Sequence, residues 1–261
     1  MSPALIILGV IICIIIYLYF FYNTRESVLT NKMDLSVAQA EIGVEKIANP
    51  ASTRYAYEFW VYMGQYNGQK QELFYRDSGV KNGDCTETVS GSTKSNSFVT
   101  REAPVYNIKV YVDSASPTMK VEYVKNNAPA LTGNCSTAVQ SNEKGTLVIT
   151  DNFPVQTWVH IIISVDNAYI DCYMNGKLTK SVLEKDGILA PTKTEPIKFG
   201  LCPGTSLVKF KRMTSPVSPQ TAWDKYSAGD GSNEFSKYLG TLGIDLSLKK
   251  DDVEYSKINL F

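Results

Sequence analysis

The stretch from Pro154 to Leu183, PVQTWVHIIISVDNAYIDCYMNGKLTKSVL, reads as three short strands joined by two tight turns. Val159, Ile161, Ile163 and Val165 fall on one face of the first strand, at the two-residue period that a pleated strand imposes. Asp166-Asn167 breaks the pattern, Tyr169 to Met174 resumes it, and Asn175-Gly176 ends it again. Asn-Gly is the strongest two-residue hairpin signal, because both residues tolerate positive φ. Lys177 to Val182 then returns as the third strand. An apolar sheet face must be covered, so the other segments are expected to be strands stacked against this meander.

Such strands lie on both sides of it. Tyr55, Tyr57, Phe59, Val61 and Met63 share one face of an alternating segment, and Leu73-Phe74-Tyr75 follows as another strand. Tyr106 to Asp113 and Met119 to Val124 form a pair turned through Ser114 to Pro117. Leu147 to Thr150 leads through Asp151-Asn152 into the central stretch, and Pro196 to Gly200 and Val208 to Met213 complete the set. The segment from Asp77 to Thr100 is polar and contains Asn82-Gly83, so it reads as a long loop or ragged hairpin. A second polar loop carries Gly133-Asn-Cys135. Turn signals spaced about 8–12 residues apart predict an all-β sandwich. After Met213, Ser218-Pro219 predicts a short helix with the hydroxyl capping it and Pro at its first position.

The N-terminus is of another kind. ALIILGVIICIIIYLYFFY, from Ala4 through Ile12 to Tyr22, carries no charge and as a helix spans about 28 Å, close to a bilayer's hydrocarbon core. Tyr17, Tyr19 and Tyr22 gather at its end, where an interfacial aromatic belt would sit. A basic n-region and a small-x-small cleavage site, the marks of a signal peptide, are both missing. The expected organisation is a transmembrane anchor over 1–23, a polar spacer over 24–53, the sandwich over 54–231 and a C-terminal extension over 232–261. Leu35, Ala38 and Ile42, with Val44 and Ile47 beyond them, hint at a short amphipathic helix within the spacer.

Composition narrows the chemistry. Acidic and basic residues number 26 each, so no bulk charge draws the chain to nucleic acid. A single histidine, His160, leaves little basis for His-ligated zinc or Ser-His-Asp catalysis. It follows Trp158 on the face opposite Val159 and Ile161, where a packed, hydrogen-bonded side chain is the expectation.

The motifs Tyr57-Glu-Phe-Trp-Val, Trp158-Val-His-Ile-Ile-Ile, Asp171-Cys-Tyr-Met-Asn-Gly-Lys177 and Ile197-Lys-Phe-Gly200 resemble, in order and spacing, the laminin-G-like, concanavalin-A-like jelly rolls. Phe210-Lys-Arg-Met-Thr and Pro216-Val-Ser-Pro-Gln-Thr-Ala-Trp-Asp-Lys-Tyr look like that family's closing strand and following helix. The resemblance covers roughly Tyr55 to Gly231. Joined to an N-terminal anchor, it is similar to minor capsid or virion membrane proteins of large DNA viruses of the chlorovirus and iridovirus kind. It implies a non-enzymatic structural protein linking an internal membrane to a protein shell, with the membrane and other capsid or shell proteins as partners. The alternative is a membrane-tethered carbohydrate-binding or adhesion domain.

Concanavalin-like glycoside hydrolases need carboxylates paired across the scissile bond, in a run of the form E-x-D-x-x-E. Here Glu58, Glu122 and Asp171 each stand alone, and all three are expected to face solvent. Calcium is the family's other recurring cofactor; Asp77, Asp84, Asp151 and Asp166 lie in loops, but no spacing gathers them, so no cofactor is expected. A carbohydrate would use exposed Tyr66, Tyr75 or Tyr106.

Arg25 and Lys32 follow the apolar run and no basic side chain precedes it, which places the main domain on the cytosolic, shell-facing side. Thiols stay reduced there, so Cys172 and Cys202 are expected as small buried groups. Cys85 and Cys135, in polar loops, leave two readings open: free thiols, or one disulfide between them.

Overall fold

Two antiparallel sheets pack face to face as a β-sandwich. The computed structural model describes residues 11, 27–79, 83–90, 93–100, 105–126, 143–229, 245–250 and 253–259; for 83–90, 93–100, 245–250 and 253–259 it describes the backbone alone. The strands are β1 (Ser27–Asp34), β2 (Arg54–Met63), β3 (Gln71–Asp77), β4 (Gly83–Ser90), β5 (Thr93–Thr100), β6 (Tyr106–Val112), β7 (Met119–Val124), β8 (Lys144–Thr150), β9 (Trp158–Asp166), β10 (Tyr169–Met174), β11 (Lys177–Leu183), β12 (Ile197–Phe199) and β13 (Thr205–Met213). A helix, α1 (Pro219–Ser227), and a last pair, β14 (Asp245–Lys250) and β15 (Val253–Asn259), follow. The larger sheet has the order β1-β13-β2-β9-β10-β11, and the smaller β12-β3-β6-β7-β8; β4-β5 and β14-β15 are separate hairpins.

Alternation decides which side chains fill the space between the sheets. Tyr57, Phe59 and Val61 of β2 and Val159, Ile161 and Ile163 of β9 turn inward against Phe74, Val110 and Val121 of the facing sheet. Four rings form the centre: Tyr57 lies 5.1 Å from Phe74, and Phe59 and Phe210 lie 5.4 and 5.0 Å from it, the last two edge-on. Such contacts add about 0.5–1.5 kcal/mol each beyond the area they bury.

The segment expected to be a spacer is instead part of the sandwich. β1 pairs along β13, with Ser27 opposite Arg212 and Asp34 opposite Ser206, and forms an edge of the larger sheet. Leu35, Ile42 and Ile47 are buried in the core, so the expected amphipathic helix gives way to a bridge between Ile42 and Ile197 and one 3-10 turn, Val44–Lys46. Irregular backbone of this kind needs partners for its carbonyls. Two buried guanidiniums supply them: Arg212 donates to Ala48 O at 2.7 Å, and Arg76 to Pro50 O at 2.8 Å, Glu195 O at 2.9 Å and Thr192 O at 2.7 Å.

The helix forms where Ser218-Pro219 predicts it, the Ser218 hydroxyl accepting from Thr221 N–H at 3.2 Å. It lies on the outer face of the larger sheet, where Ala56, Ile162, Tyr173, Met213, Val217 and Ala222 make a second apolar cluster. The polar stretch from Asp77 to Thr100 contains the β4-β5 hairpin. Among the described residues no helix is long and apolar enough to cross a membrane. Ala4, Ile12 and Tyr22 of the proposed anchor lie outside the described residues, as does Cys135; Cys85 falls in β4, where side chains are not described.

Candidate functional site

Among the described residues, three places on the sandwich gather polar or aromatic side chains, and one of these is open. The first lies under α1. Glu58, expected to face solvent, does leave the core face of β2, but the helix covers it and only 3% of its side chain is exposed. Fully buried His160, opposite Trp60 on β9 and so diagonal to Glu58, donates from Nε2 to Glu58 Oε1 at 3.4 Å. Lys225 Nζ from the helix and Lys211 Nζ from β13 approach Glu58 Oε2 at 3.3 and 3.9 Å. Burial alone would raise the Glu58 pKa; the His160 hydrogen bond and the two ammonium groups overcome it and hold the carboxyl below its ordinary value. Trp60 stacks on Tyr226 at 5.7 Å and packs on His160 at 4.9 Å, closing the cluster over. Beneath a packed helix such a group fastens two elements together. His160 is the packed, hydrogen-bonded residue that its place in the strand suggests.

The second is the outer face of the smaller sheet, which carries two of the three tyrosines offered for carbohydrate. Tyr75 meets Tyr106 edge-on at 5.2 Å, and the Lys109 ammonium sits 4.3 Å over the Tyr106 ring while pairing with Glu72 at 2.5 Å. For Lys109, burial would lower the pKa, but the Glu72 hydrogen bond outweighs it and the net displacement is upward. Lys70 covers Tyr111 at 4.3 Å, Lys198 pairs with Asp77 at 2.9 Å, Lys120 with Asp113, and Lys144 with Glu122 at 3.6 Å. Tyr66 donates to the carbonyls of Asp113 and Ser114 at 3.1 and 2.7 Å. This face is satisfied from within, and Glu122, like Glu58, answers to a lysine rather than to solvent.

The third is an open groove of about 530 Å3 on the outer face of β10 and β11. Tyr169, Asp171 and Tyr173 project into it from β10, and Leu178 and Ser181 from β11. Asp171 stands directly across from Ser181, and Tyr169 from Leu183. The far wall is the chain from Pro216 to Pro219, which ties down to the sheet through Val217 N–H to Ser164 Oγ at 2.9 Å and Tyr173 OH to Val217 O at 3.1 Å. Two prolines with fixed φ stiffen it. Asp166 closes one end and is neutralised by Arg54 at 2.9 Å. The sequence offered Asp171 only as a lone acid, and it did not single out Tyr169 or Ser181. The signal was there in their alternation on a strand pair, but what makes them a site is the wall, which arrives from β13.

The aspartates expected in loops do not converge: Asp77 ends β3 and Asp166 ends β9, each meeting a cation, and no three His, Cys, Asp or Glu side chains gather on one point among the described residues. The side chain of Asp84 lies outside them.

No protein-family model matches the chain, and no characterised protein matches it in sequence. Solved structures do share its fold. The botulinum neurotoxin serotype D ligand-binding domain, in complex with N-acetylneuraminic acid, superposes with a TM-score of 0.51 at 11% identity over 76% of this chain and 42% of that one. The receptor-binding domain of mosaic serotype C/D gives a TM-score of 0.45 at 10% identity over 67% of this chain and 36% of that one. That of type G gives 0.42 at 14% identity over 68% and 38%. The chain thus spans about two fifths of these relatives, and at such identities the serotype D likeness establishes a jelly-roll-like sandwich and nothing further.

Proposed function

We propose that the protein is a non-enzymatic, membrane-anchored sandwich that holds a protein layer against a membrane, as a minor capsid or virion membrane protein would. The observation that carries this reading is the shortness of the link. Only residues 23–26 separate the apolar run 4–22 from β1, which is built into the larger sheet. Five Cα steps, even fully extended, cover about 17 Å. A domain on so short a tether is held at the bilayer surface. That suits a fixed structural link better than a receptor that must search on a stalk. Arg25 and Lys32 support a cytosolic, shell-facing side for the sandwich.

Fractionation of expressing cells tests the reading. The full chain is expected to stay with membranes through a carbonate wash and to copurify with membrane-bearing particles through high salt. Ile12→Arg, at an expected insertion cost of about 2.5–3.5 kcal/mol, is expected to release it. A wild-type chain that washes off, or a variant that stays, overturns the anchor.

A second reading, carbohydrate binding by a membrane-tethered domain, is favoured by the groove beside β10 and β11. The complex of the serotype D relative with N-acetylneuraminic acid is a precedent for that relative, whose length this chain only partly spans.

A further inference from the structure

We propose that the groove on β10 and β11 is a binding site for a neutral saccharide, an inference that rests on the second reading above and gives it a place and a ligand class. Three features converge there. Tyr169 is 50% exposed at one end of the groove, a platform for the apolar face of a sugar ring. Asp171, next inward on the same face of β10, has no hydrogen-bond or ion-pair partner among the described residues. Ser181 stands opposite it on β11, a separation at which Cβ atoms lie about 4.5–5.5 Å apart and which adjacent hydroxyls of a pyranose can bridge. Leu178, 49% exposed, supplies apolar contact further along. The volume of about 530 Å3 lies within the range of about 300–1,000 Å3 usual for small-ligand clefts. The wall from Pro216 to Pro219 is already fastened, so little ordering is left for the ligand to drive.

Charge selects the ligand class. Arg54 neutralises Asp166, which leaves Asp171 uncompensated, and among the described residues no lysine or arginine lines the groove. A carboxylated, sulfated or phosphorylated sugar would bring its anion against that carboxylate. A neutral sugar donates hydroxyl hydrogens to it, in the charge-assisted bonds that are the stronger kind.

Saturation-transfer NMR on the full chain, solubilised in a detergent without a sugar headgroup, tests the site. The probes are maltotriose, cellotriose, mannotriose, sialyllactose and a lysine-rich peptide. At least one neutral trisaccharide is expected to bind. Asp171→Ala and Tyr169→Ala are each expected to weaken it about tenfold or more, with melting temperature unchanged because both side chains lie at the surface. Binding of sialyllactose alone, indifferent to Asp171→Ala, would remove this site and leave carbohydrate binding standing. Binding of the peptide alone would overturn the saccharide assignment, and no binding of any sugar would remove both readings.

Discussion

Glu58 is where reading a sequence by alternation meets its limit. Its position opposite Tyr57 and Phe59 correctly turns it away from the core, yet α1, formed by Pro219–Ser227, buries it from the other side. Nothing near Glu58 in the sequence announces that cover, because the helix is far along the chain. Removing the charge leaves Lys225 and His160 facing a neutral partner in a covered site. Glu58→Gln is therefore expected to cost about 3 kcal/mol, the lower end for breaking a buried pair. The sign with pH follows from a folded-state pKa below the ordinary 4.5. The stabilisation is fully present above the unfolded value and is lost as pH falls through the folded one. Urea unfolding of both proteins from neutral pH downward is expected to show the largest gap at neutral pH, closing below about pH 4.5. A gap that stays constant into acid would show that the charge is not what matters. Asp171 and Ser181 illustrate the opposite case: plain strand residues that become a candidate site only because a distant segment walls them in.

Among the elements, the β10-β11 hairpin was the most legible and is also the most constrained. Asn175 and Gly176 adopt φ of 50° and 74°, the pair of positive values that Asn-Gly accepts. Asn175 N–H donates to His160 O at 2.8 Å and its Oδ1 accepts from His160 N–H at 3.0 Å, tying the turn to β9. A Cβ on Gly176 would lie 3.0 Å from Tyr226 Cβ and 3.1 Å from Trp223 Cα, so the turn is also the seat of α1. Gly176→Ala combines backbone strain with crowding and is expected to cost about 2 kcal/mol. Its thermal melt is the check, and an unchanged melting temperature would mean that the helix does not rest on the turn. β1 was missed for an instructive reason. Leu29, Met33 and Leu35 do alternate, but Val28 puts an apolar residue on the opposite face and a bulge between Val28 and Thr30 breaks the register. A helical period over Leu35, Ala38 and Ile42 competed with it.

At the scale of the molecule, the two-layer architecture was readable because most strands place apolar groups on one face, and sheet order was not, because pairing depends on partners remote in sequence. Cys172 and Cys202 are buried free thiols, as expected; burial pushes both upward, Cys202 to about 12. The order β1-β13-β2-β9-β10-β11 puts the strand nearest the apolar run at one edge and the groove's strands at the other, some five strand spacings or about 24 Å away. It also sets how the domain bears a load. β1 enters at Ser27 beside Arg212, and β13 leaves at Met213, at the same end of the ladder they share. Tension between the N-terminal run and the end of β13 at Met213 therefore pulls two neighbouring strands apart from one end. The seam opens like a zipper, one pair of hydrogen bonds at a time, instead of resisting in shear along its whole length. The seam next to the proposed anchor is thus where the domain gives way first under such a load, with the five strands from β13 to β11 still joined.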